Sequence, residues 1–162
     1  MEIKKEKYIN AVLFFINNCD NHLGITKLNK LFYYLDFISY KDKKTTVTND
    51  QYIHQEYGPV AASLETEILP HMKENGLISI ENILLASNKR KILFKTEVDA
   101  DLSVFDVYEK ELLRKICDKF CNYSTQEIVD QTHTEAPYYY SEFMSIMDFE
   151  NAEDIDILED VK

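Results

Sequence analysis

The fold of this chain is decided by residues 26–40, TKLNKLFYYLDFISY. On the helical period of about 3.6 residues, this segment carries one continuous apolar stripe, the pattern of a helix packed on a core. The stripe consists of Leu28, Leu31, Phe32, Leu35 and Ile38. A second stripe lies on roughly the opposite side, at spacings of four and three residues: Tyr33, Phe37 and Tyr40. We therefore predict a helix that either packs between two neighbours or keeps its second side for a partner protein.

The composition predicts a single folded domain that consists mainly of helix. The chain has 162 residues, enough to bury a core without disulfides or metals. Apolar residues make up 45% and aromatic residues 12%, whereas glycine and proline occur only three times each, which argues against a loop-rich sandwich. The predicted fold class is α+β, mainly α-helical, with about five to six helices. Residues 77–98 are β-prone and predict a small antiparallel sheet of about two to three strands.

Helical patterns also occur on both sides of the predicted sheet. Residues 5–19 and 104–121 repeat apolar side chains at helical spacing. Ser124 and Glu127 match a capping box, which predicts that another helix begins there. These segments supply the remaining helices of the predicted domain.

Two prolines set expectations for the middle of the chain. Pro59 follows Gly58, and we interpret it as the first residue of a helix, where its missing N–H would have no partner anyway. Pro70 should then end or kink that helix, because it lacks the donor for the next backbone hydrogen bond.

The sequence divides into a domain of residues 1–147 and an acidic segment of residues 148–162. The segment holds seven acidic side chains and one lysine. Chain ends of this composition are usually solvated and disordered, which is the interpretation favoured here. Apolar residues within it would allow folding on a partner, and this alternative stays open: Phe149, Ile155, Ile157 and Leu158.

The net charge of −11, from 29 acidic and 18 basic residues, suits a basic protein partner. It argues against binding nucleic acid, since the phosphate backbone would be repelled. Two short basic clusters nevertheless keep a DNA-binding regulatory role as a weaker alternative. They are Lys41, Lys43 and Lys44, and Lys89, Arg90 and Lys91.

The cysteines and the motif content bear on location and chemistry. Cys117 and Cys121 stand one helical turn apart, and Cys19 is distant in sequence, which predicts thiols rather than a disulfide and hence a reducing cytoplasm. We find no pattern of a signal peptide or a transmembrane helix. Because no catalytic motif or metal-ligand spacing stands out, we predict no enzymatic activity, no metal site and no cofactor.

Three segments occur in the order and spacing of a known family. Residues 28–33 (LNKLFY), 57–60 (YGPV) and 132–137 (THTEAP) resemble the "LxKLLY", "GPV" and "THxExP" segments of the SocA-like, or Panacea, antitoxin domain family. The matching positions are Leu28, Lys30, Leu31, Gly58, Pro59, Val60, Thr132, His133 and Pro137. The resemblance covers roughly residues 5–138.

The chain departs from the family pattern at three places. Gln55 stands near the position where the family often has a tryptophan, and Ala61 follows the GPV segment where a proline is common. The aromatic residue after the last proline is Tyr138 rather than tryptophan. These differences suggest a divergent member with its own partner.

The resemblance implies an antitoxin of a toxin–antitoxin module, often carried on phages or other mobile elements. Such a protein neutralises a cognate toxin, encoded by a neighbouring gene, through direct protein–protein binding. Some relatives instead act as adaptors that deliver the toxin to a protease. The sequence leaves occlusion, degradation and homodimerisation open.

Tyrosine-rich positions are the candidate partner contacts. Tyrosine buries a large area with few rotatable bonds and keeps a hydroxyl for hydrogen bonding. The predicted contacts are Tyr33, Tyr40, Tyr57, His133, Tyr138, Tyr139 and Tyr140. For Phe37 packing is favoured over contact, and for His133 the favoured interpretation is a residue that anchors a helix end through local hydrogen bonds, with toxin contact as the alternative. Whether the second stripe or the acidic segment contacts the partner stays open.

Overall fold

The computed structural model describes residues 2–19 and 23–162, and within these ranges it is an α+β fold dominated by helices, as predicted. The helices are α1 (Lys5–Asn18), α2 (Ile25–Lys43), α3 (Leu69–Glu74), α4 (Val107–Phe120), α5 (Thr125–His133) and α6 (Ala136–Tyr139). The strands are β1 (Tyr52–Gln55), β2 (Gly58–Ala61), β3 (Ser79–Leu84) and β4 (Arg90–Lys95), which form two separate antiparallel hairpins. A π-helical turn (Leu64–Ile68) precedes α3, and short 3-10 helices occur at Leu102–Val104 and Phe149–Asp154.

Helix α2 lies at the centre of the molecule. Every side chain from residue 27 to residue 39 is buried. Helices α1, α4 and α5, strand β2 and the 3-10 helix Phe149–Asp154 surround it. Its second stripe is therefore a packing layer, since Phe37 stacks on Tyr33 at 4.8 Å and on Phe149 at 4.3 Å between ring centroids.

The prediction that Pro59 begins a helix is wrong. Residues Gly58–Ala61 form β2, in which Pro59 lies opposite His54 of β1. Proline is tolerated in a two-stranded hairpin because its missing N–H faces no further strand. Pro70 lies in the first turn of α3, directly after the π-helical turn, so one helical segment ends and another begins next to this proline.

The second hairpin confirms the predicted sheet near residues 77–98. Strands β3 and β4 pair from Ser79 opposite Lys95 to Leu84 opposite Arg90. The connecting turn places Asn88 at a positive φ of 63°, a conformation that asparagine tolerates better than most residues. Strand β4 is joined to the body of the protein by a hydrogen bond from the Phe94 N–H to the carbonyl of Leu23.

Residues 148–162 pack against the body of the protein rather than extending into solvent. Ala152, Ile155 and Leu158 are buried, and the Lys41 ammonium donates a hydrogen bond to the Ile155 carbonyl. The acidic side chains lie on the outer side of this segment, so the composition that suggested disorder reflects one solvated face. The division of the chain at residue 147 stays a prediction.

A disulfide joins the ends of two helices, which corrects the interpretation of all three cysteines as thiols. Cys19 follows α1 and is bonded to Cys121, which follows α4, whereas Cys117 is a buried free thiol. Burial raises the pKa of Cys117 to about 12.

No helix in the described ranges is long and apolar enough to cross a membrane. A cytoplasmic location stays a prediction, and it now lacks the support of unpaired cysteines.

Candidate partner-binding site

The three sequence segments LNKLFY, YGPV and THTEAP meet around the side chain of Lys30. This side chain is 1% exposed, and its ammonium donates a hydrogen bond of 3.0 Å to the carbonyl of Pro59. A Cβ atom on Gly58 would lie 2.8 Å from Lys30 Cε and 2.8 Å from Thr132 Oγ1. The glycine is therefore required for the close approach of α2, β2 and α5, which are distant in sequence.

Polar groups of α2 bind the backbone of the first hairpin. Asn29 accepts a hydrogen bond of 2.9 Å from the Ala61 N–H, one residue along the helix from the bond made by Lys30. Burial lowers the pKa of Lys30 to about 7, because the ammonium loses its hydration. These two contacts explain why Asn29 and Lys30 are buried although neither belongs to the apolar stripes of α2.

A stack of three rings connects the hairpin to α5 and α6. The ring of Tyr138 lies between His54, at 3.7 Å, and His133, at 4.4 Å between centroids, with interplanar angles of 19° and 4°. The Tyr138 hydroxyl donates to the carbonyl of Gln55, and His54 Nδ1 lies 2.7 Å from Ser141 Oγ. His54 was not among the predicted site residues, since its role depends on Tyr138 being folded against it.

Glu135 forms the buried polar centre behind this stack. Its carboxylate accepts a hydrogen bond of 3.0 Å from the Tyr33 hydroxyl, and both side chains are buried. Desolvation raises the pKa of Glu135 to about 7, although the hydrogen bonds from Tyr33 and its neighbours lower it. Tyr33 therefore stabilises the interior and is covered in this structure.

The outer side of the site is apolar and exposed. Residues 143–146 run along β1, with hydrogen bonds from the Met144 N–H to the His54 carbonyl and from the His54 N–H to the Ser145 carbonyl. We define the outer surface as Tyr57 (64% exposed), Tyr139 (71%), Tyr140 (72%), Phe143 (67%), Met144 (58%) and Ile146 (59%). Tyr57 and Phe143 line a common cavity of about 360 Å³ together with Lys30.

An acidic groove lies beside the two neighbouring tyrosines of this surface. Tyr139 and Tyr140 are in edge-to-face contact at 5.1 Å. They line a groove of about 520 Å³ with Glu135, Asp154 and Asp156. This arrangement combines large flat side chains with negative charge, the combination that suits a basic and partly apolar partner.

Comparison with known proteins identifies the family. A family model described as antitoxin SocA-like, Panacea domain, matches residues 28–139, more than half of the chain. The chain belongs to this family. Comparisons with curated proteins and with solved structures found no match.

The Panacea domain match includes all three converging segments and ends at Tyr139. It leaves out α1 and residues 148–162, although both pack on α2. The structure thus adds two elements of this chain to the core of its Panacea domain.

The predicted contact residues of the Panacea domain fall into two groups. Tyr33 is fully buried, Tyr138 is nearly so, and His133 is half-buried in the ring stack. Tyr40 is half-buried and donates a hydrogen bond to Glu150. Three predicted contacts are exposed, namely Tyr57, Tyr139 and Tyr140. Their role as contacts stays a prediction, and Phe143, Met144 and Ile146 are exposed neighbours that the tyrosine pattern missed.

Replacing Glu135 by glutamine is expected to stabilise the Panacea domain at about pH 8 by roughly 1–3 kcal/mol. A carboxyl whose pKa is raised by folding binds its proton more tightly in the folded chain, so it costs stability as the pH rises from 4.5 to about 7. Glutamine keeps an acceptor for the Tyr33 hydroxyl and removes the buried charge. Urea denaturation at about pH 4 and about pH 8 measures the difference, which should vanish at the lower pH.

Glu127→Gln is the matched control at the other end of α5. The N–H and hydroxyl of Ser124 lower the pKa of the Glu127 carboxyl, so this substitution should not stabilise the protein at either pH. Equal responses of the two variants at about pH 8 would contradict the assigned cost of burying Glu135.

Proposed function

We propose that this chain is the antitoxin of a toxin–antitoxin module and that it neutralises a cognate protein toxin by direct binding. Membership of the antitoxin SocA-like family supports this function. We further propose that the toxin is encoded by a neighbouring gene, that both act in the cytoplasm, and that the module belongs to a phage or another mobile element. The mechanism is occlusion of the toxin, without enzymatic activity.

The exposed outer surface is the observation that carries this proposal. Its six side chains are all at least 58% exposed, and they include three tyrosines and one phenylalanine. Tyr57 and Phe143 line one cavity, and Tyr139 and Tyr140 are in edge-to-face contact. Soluble monomers seldom expose large apolar side chains in such groups unless a partner covers them. Aromatic residues also dominate the energy of protein interfaces because they bury much area at little entropic cost.

The charge of the chain favours a basic toxin. The net charge is −11, and the groove beside Tyr139 carries the exposed carboxylates of Asp154 and Asp156. Complementary charge speeds encounter and selects the partner, while the aromatic side chains supply most of the affinity. The proposed interface is therefore the outer surface at its centre with the acidic groove at its rim.

The double substitution Tyr139→Ser and Tyr140→Ser is expected to weaken toxin binding by at least roughly 30-fold, because two central aromatic contacts are lost. Both side chains are exposed, so the melting temperature should stay unchanged. Titration calorimetry with the protein encoded by the neighbouring gene measures the affinity. Growth of cells that express both proteins measures neutralisation.

Leu84→Ser and Leu85→Ser form the matched control, since these residues are also exposed and apolar but belong to the second hairpin and not to the outer surface. This double variant should bind and neutralise like the unchanged chain. If it loses neutralisation and the tyrosine variant does not, the interface lies on the second hairpin. If the unchanged pair neither binds nor cancels toxicity, the proposed function is wrong.

The adaptor alternative is separated from occlusion by the half-life of the toxin. Occlusion leaves the half-life unchanged when the antitoxin is present, whereas delivery to a protease shortens it. The DNA-binding alternative draws on two basic clusters. Lys41, Lys43 and Lys44 contact the Ile155 carbonyl and the rings of Tyr108 and Tyr40, respectively. Lys89, Arg90 and Lys91 are exposed on the second hairpin. No shift of the promoter DNA at low salt would exclude the DNA-binding alternative.

A further inference from the structure

The fold brings three cysteine sulfurs together at one end of the helical core. Cys19 follows the last turn of α1, Cys117 lies in the last turn of α4, and Cys121 follows α4. Their sulfur atoms all lie within 4.8 Å of one another. Cys19 and Cys117 are buried and Cys121 is partly exposed, so the cluster has one side that solvent reaches.

Small movements would bring these sulfurs to the spacing that thiolates have on a tetrahedral metal ion. Two thiolates bound to zinc at about 2.3 Å lie about 3.8 Å apart. The Cys117 sulfur lies within 4.8 Å of the other two and would approach them by about 1 Å or less. The sulfurs of Cys19 and Cys121, bonded to each other in the structure, would move apart once the disulfide is reduced. Three thiolates from two helix ends would then leave one coordination position, on the side of Cys121, for water.

A buried lysine supplies the charge that such a site requires. Lys27 is 2% exposed, and its ammonium donates hydrogen bonds to the carbonyls of Cys121, at 3.0 Å, and Tyr123, at 2.6 Å. It also interacts electrostatically with the Cys117 thiol. Three thiolates and one divalent cation carry one net negative charge, which the ammonium of Lys27 balances in the buried site.

We propose that the reduced chain binds one zinc ion through Cys19, Cys117 and Cys121. Soft thiolate ligands select zinc over the hard cations magnesium and calcium. The ion clamps the end of α1 to the end of α4, the same connection that the Cys19–Cys121 disulfide makes in the oxidised chain. The disulfide and the metal site are mutually exclusive, since both need the sulfurs of Cys19 and Cys121.

The conversion balances with a trialkylphosphine as the reductant. The phosphine and one water reduce the Cys19–Cys121 disulfide to two thiols, and the phosphine is oxidised to its oxide. Zinc then displaces the protons of the three thiols as three zinc–sulfur bonds form. No change in the oxidation state of the metal is involved.

Cobalt titration of the reduced, untagged chain tests the proposal. Co²⁺ is the spectroscopic substitute for zinc, and one equivalent should produce a thiolate-to-cobalt charge-transfer band and the visible bands of a tetrahedral site. One equivalent of Zn²⁺ should remove both. The oxidised chain should show neither, and native mass spectrometry should find one zinc per reduced chain and none per oxidised chain.

Two variants separate a three-thiolate site from weaker binding. Changes next to metal ligands alone weaken binding by about 10–100-fold, so Cys117→Ser, which removes a ligand, should weaken it by more than about 100-fold. Lys27→Met should cost about 10–100-fold, since it removes only the neighbouring charge. The absence of a charge-transfer band in the reduced unchanged chain, or equal affinity of Cys117→Ser, would overturn the proposal.

Discussion

Gly58→Ala is expected to lower the free energy of unfolding by about 3 kcal/mol, from backbone strain and steric overlap together. Gly58 has a φ of +101°, a conformation that L side chains rarely adopt. The added Cβ would lie 2.8 Å from both Lys30 Cε and Thr132 Oγ1. Neither neighbour can move freely, because Lys30 is bonded to the Pro59 carbonyl and Thr132 to the Val129 carbonyl.

Gly76→Ala is the matched control for this substitution. Gly76 also has a positive φ, +70°, but apart from its chain neighbours no heavy atom of the described residues lies within 4 Å of the position of its added Cβ. The free energy of unfolding of this variant should fall by only about 1 kcal/mol, from backbone strain alone. Chemical denaturation of both variants gives the difference, and equal losses would show that the close approach of Lys30 and Thr132 is not what requires glycine at position 58.

Asp36→Ala is expected to cost about 3–5 kcal/mol, because it leaves several buried donors without an acceptor. The carboxylate of Asp36 is fully buried in α2. It accepts hydrogen bonds from the N–H groups of Val47, at 2.8 Å, and Thr48, at 3.0 Å. The hydroxyls of Tyr52, at 2.6 Å, and Thr48 also donate to it. Asp36 thus holds the loop after α2 and strand β1 against the helix.

Asp36→Asn distinguishes lost hydrogen bonds from lost charge. Burial raises the pKa of the Asp36 carboxyl to about 6, although its hydrogen bonds lower it, so removal of the charge alone should cost little. The amide keeps one acceptor oxygen for the N–H groups of Val47 and Thr48. Urea denaturation at about pH 7 should therefore place Asp36→Asn well above Asp36→Ala in stability. A loss below about 1 kcal/mol for the alanine variant would contradict the assigned role.

Local patterns predicted the elements that local interactions stabilise. The apolar period of residues 26–40 predicted α2, and the capping box predicted α5. In the structure Ser124 Oγ accepts from the Glu127 N–H, and the Glu127 carboxylate accepts from the Ser124 N–H. Both patterns connect residues that lie within one or two helical turns of each other, so they can be recognised from neighbouring positions in the sequence.

The candidate site could be predicted only in part. The segments around Lys30, Gly58 and Thr132 were found through the family resemblance. Neither their sequences nor the resemblance showed that the three segments contact one another. Pro59 was misassigned because a proline after glycine is equally compatible with a helix start and with an edge strand. In the structure this segment is an extended strand, and its backbone is hydrogen-bonded to the side chains of Asn29 and Lys30, some 30 residues earlier in the chain.

The sequence by itself determined the fold class, the central helix, the second hairpin and the family. The tertiary structure decided which aromatic residues are buried and which are exposed to solvent. Tyr33 and Tyr139 are the same residue type, yet one is buried against Glu135 and the other is 71% exposed. The tertiary structure also brought the sulfur of Cys19 close to those of Cys117 and Cys121, about 100 residues later in the chain. The physical reason is that burial and sulfur–sulfur proximity depend on how helices pack, whereas helix formation depends on residues that are neighbours in sequence.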